Sequence, residues 1–163
     1  MDRKPNLRAA VWAGIAAGVI FMALEMALVS LMMGESPWAP PRMIAAIGLG
    51  KSALPPPATF DAGIFAVAMA IHFALAILLA AILGWAISRF ALGMVASVVG
   101  GAVFGLAVYY VNFYGFTALF PWFAMARGPI GIVAHAVFGA VAGGVYRALE
   151  TRRPVTSAGE QPA

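Results

Sequence analysis

Cysteine is absent from this chain and charge is scarce: Asp, Glu, Lys and Arg make up 10% of the 163 residues, and there are two histidines. Without a thiol there can be no disulfide, no thiolate metal site and no CxxC redox pair. A soluble domain carries roughly a quarter of its residues as charges. A chain that is 63% hydrophobic, with a mean hydropathy of +0.94, is therefore read as an integral membrane protein. The net charge of +4 belongs to the flanks of apolar runs, which argues against nucleic acid as a partner. Catalytic signatures are missing as well. There is no Ser-His-Asp arrangement, no paired acids and no HExxH stretch, so an enzyme is the minority reading. The length is too small for the repeated multi-helix bundles of most secondary transporters.

What the chain does contain is four long apolar runs. A span needs about 20 such residues, and the segments at 7–33, 62–88, 92–116 and 129–149 qualify. None has proline in its interior. Pro129 stands in the first turn of the last, where a missing N–H does no harm. The fold expected is all-α: one domain over 1–153 with four transmembrane helices in an antiparallel bundle, followed by a disordered cytoplasmic tail at 154–163. The first run is too long for the core of a cleaved signal peptide and is expected to stay in the protein. Arg3, Lys4, Arg8, Arg89, Arg147, Arg152 and Arg153 flank one side, against Arg42, Lys51 and Arg127 on the other. That bias places both termini in the cytoplasm. Trp12, Trp38, Trp85 and Trp122 all fall near the expected interfaces. In the first outer loop (34–61), the run MIAAIGLG at 43–50 is too short to span and is expected to lie in the interface or re-enter. GLGKS at 48–52 ends like a phosphate-binding loop, but that pattern needs glycine where Ala45 stands and a strand before it.

Within the first run, from 9 to 33, Glu25 is the only charged residue. Helices in lipid pack through small residues, and each span has a stripe of them. The first carries Gly14 and Gly18 with Phe21, Glu25, Leu28 and Met32. The second carries Ala68, His72, Ala76, Ala80 and Gly84. The third carries Ser97, Gly101 and Gly105, continued by Tyr109 or Val108 and then Asn112, and the fourth Gly131, His135, Gly139 and Gly143. Counting from the outer helix ends at 1.5 Å per residue puts Glu25 about 12 Å, His72 about 15 Å, His135 about 9 Å and Tyr109 about 10 Å deep. One layer in the outer half of the membrane is expected to hold all four.

Three chemistries suit such a set. Glu25, His72 and His135 form a two-histidine, one-carboxylate group able to bind zinc, iron or copper. His72 and His135 could instead ligate haem b axially. Without a cofactor, the imidazoles could carry a proton or sense pH, with Tyr109 and Asn112 as supporting polar groups. No acid or histidine lies deeper in any span, so the site is expected to open outward only. The blander readings are a neutral carboxyl hydrogen-bonded to a neighbouring helix and histidines that pack through one hydrogen bond each. Met22, Met26 and Met69 read as ordinary filler. In the alternative from another class, the chain is an accessory subunit of a larger membrane complex or a homo-oligomer. It would then assemble through the pairs Gly14/Gly18, Gly101/Gly105 and Gly139/Gly143. If Glu25 belongs to a buried network, Glu25→Gln should keep the fold and Glu25→Ala should weaken it.

Two further patterns bear on architecture and source. Pro37-Trp38 with Arg42 behind it, and Pro121-Trp122 with Arg127 behind it, suggest two related hairpins that set His72 opposite His135. The ending FPWFAMARGPIGIVAHAVFGAVAGGVYRALETRR, the buried acid of the first helix and the proline-rich outer loop resemble the YagU-like group of small bacterial inner-membrane proteins. "PWF" at 121–123, His135 and the terminal arginines carry most of that likeness, over roughly 10–153. It implies a bacterial inner membrane and a loose link to acid tolerance. The outer loops here are shorter than in that group, so no loop function is carried over.

Overall fold

Two of the long helices start and stop where the sequence supplies a cap. In the computed structural model, which describes residues 5–54 and 57–151, α1 (Leu7–Met33) opens at Asn6. The Asn6 side chain accepts the amide of Ala9 at 3.2 Å, and the helix closes at Gly34 in the left-handed region, φ 68°. A second helix, α2 (Ala39–Leu49), places its prolines in the first turn, where they cost no hydrogen bond. The Asp61 carboxylate caps α3 (Ala62–Arg89) by accepting the amide of Ile64 at 2.8 Å. α3 ends in a Schellman turn, in which Leu92 N–H donates to the Ile87 carbonyl and Ala91 N–H to that of Ser88. Ala91 takes the left-handed position of this turn, φ 50°. α4 (Met94–Tyr110) widens into a π turn at Val111–Gly115 and continues as a 3-10 turn at Phe116–Ala118. A 3-10 stretch at Pro121–Ala126 leads through Gly128 into α5 (Pro129–Glu150).

The all-α expectation holds: among the described residues there is no strand, and four helices are long and apolar enough to cross a membrane. Their bounds, Leu7–Met33, Ala62–Arg89, Met94–Ala118 and Pro129–Glu150, agree with the four predicted spans to within two residues. This is the make-up of a multi-pass membrane protein. The expected tail at 154–163, like Arg3, Lys4, Arg152 and Arg153, lies outside the described residues. Four spans bring Leu7 and Glu150 to one end of the bundle, the terminal end. The opposite, loop end carries α2 and the 111–128 segment. The short run at 43–50 belongs to α2, which packs on α3 through Ala45, Ala46 and Ala68.

α5 touches all three other spans, most closely α4 and then α1. The suggested pair of related hairpins does not survive as a symmetry. α1 packs along α5, whereas the counterpart pair, α3 and α4, hardly touch.

The contact between α4 and α5 is backbone against backbone. A Cβ at Gly105 would run into the carbonyl of His135, and one at Gly101 into the carbonyl of Gly139. From the other side, Gly139 faces the carbonyl of Gly101, and Gly143 that of Ser97. On α1, a Cβ at Gly14 would come 2.6 Å from the Cα of Ile77 on α3, and one at Gly18 would press on Phe73. All three glycine pairs suggested for assembly are thus consumed inside the chain. Gly105→Ala is expected to destabilise by about 1–3 kcal/mol or more through overpacking. Gly100→Ala, on the open side of α4 with nothing within 4 Å, should be neutral or better. Denaturant or thermal unfolding in one detergent compares the two, and equal midpoints would contradict this packing.

Candidate functional site

The α3 stripe is buried at every predicted position, Ala68, His72, Ala76, Ala80 and Gly84, and so is the α5 stripe of Gly131, His135, Gly139 and Gly143. Small residues at i±4 let neighbouring backbones close in, and the one larger polar residue of each stripe is carried inward with them. His72 and His135 are 7% and 5% exposed.

The two imidazoles meet across one side chain. Phe21 of α1 stacks on His72, ring centroids 5.6 Å apart at 29°, and meets His135 edge-on at 4.9 Å and 89°. Tyr109 and Phe113 approach His135 at 5.5 and 5.3 Å. Each imidazole is also held by a carbonyl. His72 Nε2–H donates to Gly18 of α1 at 2.9 Å, and His135 Nδ1–H to Gly131, one turn back in its own helix, at 2.8 Å. A carbonyl can only accept, so these bonds set the tautomers. The lone pairs are left on Nδ1 of His72 and Nε2 of His135. Neither nitrogen has a hydrogen-bond partner among the described residues.

Comparison with protein families, with curated proteins and with solved structures finds no match. The site is therefore read from its own geometry.

That geometry separates residues that the sequence reading had grouped. His72 is level with Gly18 of α1, and Glu25 lies seven residues further along that helix, about 10 Å nearer the loop end. Glu25 is half-buried on the bundle-facing stripe, and its carboxylate has no hydrogen-bond or ion-pair partner among the described residues. No group of three or more His, Asp or Glu side chains among them is placed to hold a metal ion. The two-histidine, one-carboxylate set is not gathered among the described residues: along α1, Glu25 stands two helical turns from Gly18, the residue that His72 bonds. A haem plane would have to displace Phe21 from both rings and His72 from Gly18.

Tyr109 is 1% exposed and shares the layer through its ring, but its hydroxyl accepts the amide of Gly128 at 3.0 Å and so anchors the start of α5. Asn112 sits half-buried in the π turn, with no side-chain hydrogen bond among the described residues.

Two features were missed. Phe21, read from sequence only as a bulky member of the α1 stripe, is the common neighbour of both histidines. At the terminal end a polar chain joins three helices. Ser88 Oγ donates to Glu150 Oε1 at 2.6 Å, so the Tyr146 hydroxyl must donate to Ser88 Oγ at 2.8 Å. Tyr146 in turn accepts the Asn6 amide at 2.9 Å, and Arg147 pairs with Glu150 Oε2 at 2.8 Å. Extending the α3 stripe by one turn reaches Ser88, and extending that of α5 reaches Tyr146. Gly84 faces the Tyr146 ring at a distance that leaves no room for a Cβ.

Because the Glu25 carboxylate has no partner among the described residues, Glu25→Ala strands no polar group there and the loss expected from a buried network does not follow. Glu25→Ala and Glu25→Gln should both melt within about 0.5 kcal/mol of the parent. A drop of about 1–3 kcal/mol in the alanine variant alone would reveal a buried partner.

Proposed function

We propose that this chain is a small protein of a bacterial inner membrane, with both termini cytoplasmic, whose paired imidazoles form an acid-responsive proton site on the periplasmic half. The observation that carries the reading is the bonding of His72 and His135. Each is clamped through one nitrogen to a backbone carbonyl, which leaves the lone pair of the other nitrogen without a partner among the described residues and able to take a proton. Imidazole is the side chain suited to such a switch. Phe21 touches both rings, so a charge gained on either is felt at the same contact between α1, α3 and α5. Glu25, one turn beyond Phe21 and without a partner among the described residues, is an acceptor on the approach from the loop end.

The orientation follows from the arginine bias, and the bacterial inner membrane and the tie to acid from the resemblance to YagU-like proteins. A metal would need donors beyond the two imidazoles, and the nearest carboxylate on α1 is two turns away.

Ring-nitrogen NMR on histidine-labelled protein in nanodiscs tests the reading. At about pH 8, His72 should carry its proton on Nε2 and His135 on Nδ1, and stepwise acidification should convert the rings to imidazolium while the fold persists. His72→Gln and His135→Gln should each remove one set of signals and alter the response of the other. Rings that keep their neutral tautomers until the protein unfolds would refute a proton site. A stoichiometric metal, lost in both variants, would replace it with a metal site.

A further inference from the structure

The two ends of the bundle are closed by different means. At the terminal end, the chain Asn6–Tyr146–Ser88–Glu150–Arg147 ties the start of α1 to the ends of α3 and α5, and Tyr146 and Ser88 are 1% and 3% exposed. Between that chain and the histidines, Ala13, Ala17, Ala76, Ala80, Phe138 and Ala142 are all buried in one apolar plug. A hydrogen-bonded chain of buried groups ending on an ion-paired carboxylate resists opening, because any break strands several polar groups at once.

Among the described residues, the loop end has no such buried polar chain. Residues 111–128 run across it in short π and 3-10 turns. Phe123 is buried against Phe113, centroids 5.7 Å apart, and Phe113 lies against His135. The indole N–H of Trp122 donates to the Met43 carbonyl of α2 at 3.3 Å, and its ring packs against the small α2–α3 core. This is the one side-chain hydrogen bond described between α2 and the 111–128 segment. The flanks of the segment suit movement. A 3-10 stretch that interrupts a helical run often marks a hinge, and π turns are frequent at functional sites; Gly128 at φ 155° holds a backbone conformation that L side chains rarely adopt. Arg127 binds within the segment, to the Phe113 carbonyl at 2.7 Å and over the Tyr114 ring at 4.3 Å. It stiffens the piece and does not fasten it to the remainder.

We propose that residues 111–128 are a lid over the histidine pair, hinged at the Val111–Gly115 turn and at Gly128 and latched by the Trp122–Met43 hydrogen bond. The lid opens toward the loop side, while the terminal end stays shut. The inference rests on the preceding reading only for what the lid covers; its own content is who controls access, and from which side.

The absence of cysteine makes the test clean. Phe21→Cys places a single thiol on α1 between His72 and His135, under the lid. In proteoliposomes of known orientation, a membrane-impermeant methanethiosulfonate reagent is applied to one face at a time. With the parent Trp122, labelling from the loop face should be slow. Trp122→Phe, which keeps a ring but loses the N–H, should speed it several-fold, and Trp122→Ala more. Labelling from the terminal face should stay negligible in all three, and rise only when Ser88→Ala and Tyr146→Phe are added together. Thermal melting of each variant separates lid opening from unfolding, and Trp122→Phe keeps the test decisive if the alanine variant does not fold. Equal loop-face rates with Trp122 and Phe at 122, no labelling from either face, or labelling as fast from the terminal face would each overturn the lid. The outcome does not depend on whether the histidines bind a proton. A lid found without titrating imidazoles would leave this inference standing and remove the other.

Discussion

The backbone contact between α4 and α5 is the constraint from which the rest of the arrangement follows. In a bilayer, an apolar side chain gains little by exchanging lipid tails for another apolar side chain, so helices associate where backbones can come close enough for dispersion and weak C–H···O contacts. Gly101 and Gly105 on α4, and Gly139 and Gly143 on α5, give that approach, each lying against a carbonyl of the other helix. The carbonyl that meets Gly105 is that of His135, so the contact which joins the helices also fixes the height of the imidazole. Tyr109, one turn on, then lies beside His135 and holds the entry to α5 through Gly128.

α1 completes the site from the other side, by the same means with a different partner. Gly14 and Gly18 seat α1 on α3, and this close approach brings the Gly18 carbonyl within reach of His72. Just beyond the last glycine comes Phe21, wide enough to touch the rings presented by α3 and α5. A helix that turns from glycine to phenylalanine within one turn ends a tight contact and begins a filled gap. The histidines occupy the walls of that gap. The polar chain at the terminal end and the aromatic cover at the loop end then give the two exits from it unequal strength.

Much of this was legible in the residue order. The small-residue stripes of α3, α4 and α5 are buried at the positions the four-residue spacing predicts, because burial of a helix face is a local, periodic property. The α1 stripe was harder. Its periodic set runs from Gly14 to Met32, yet Met32 is 68% exposed and Glu25 only half-buried. Beyond Gly18 the buried residues of α1 are Met22 and Val29 and no longer glycines, so the small-residue spacing no longer marks the inward face. Depth counted from helix ends failed for Glu25 for a related reason. Such counting treats every helix as parallel to the membrane normal and level with its neighbours, whereas the Gly18–His72 hydrogen bond sets the actual offset between α1 and α3.

By itself the sequence determined the class of protein, the spans to within two residues, the inward faces of α3, α4 and α5 and the identity of the two buried imidazoles. Each of these depends on hydropathy, on caps and prolines, or on helical period, all of which act over a few neighbouring residues. Which helices touch was decided only by the tertiary structure: α5 against every other span, α3 and α4 apart, the two suggested hairpins unrelated by symmetry. So were the separation of Glu25 from the histidines, the placing of Phe21 between them, and the bonding of Asn6 to Tyr146 across nearly the whole chain. The physical reason is that these contacts join residues far apart in sequence, and their partners are selected by the fit of whole helix surfaces, which no short stretch of residues specifies.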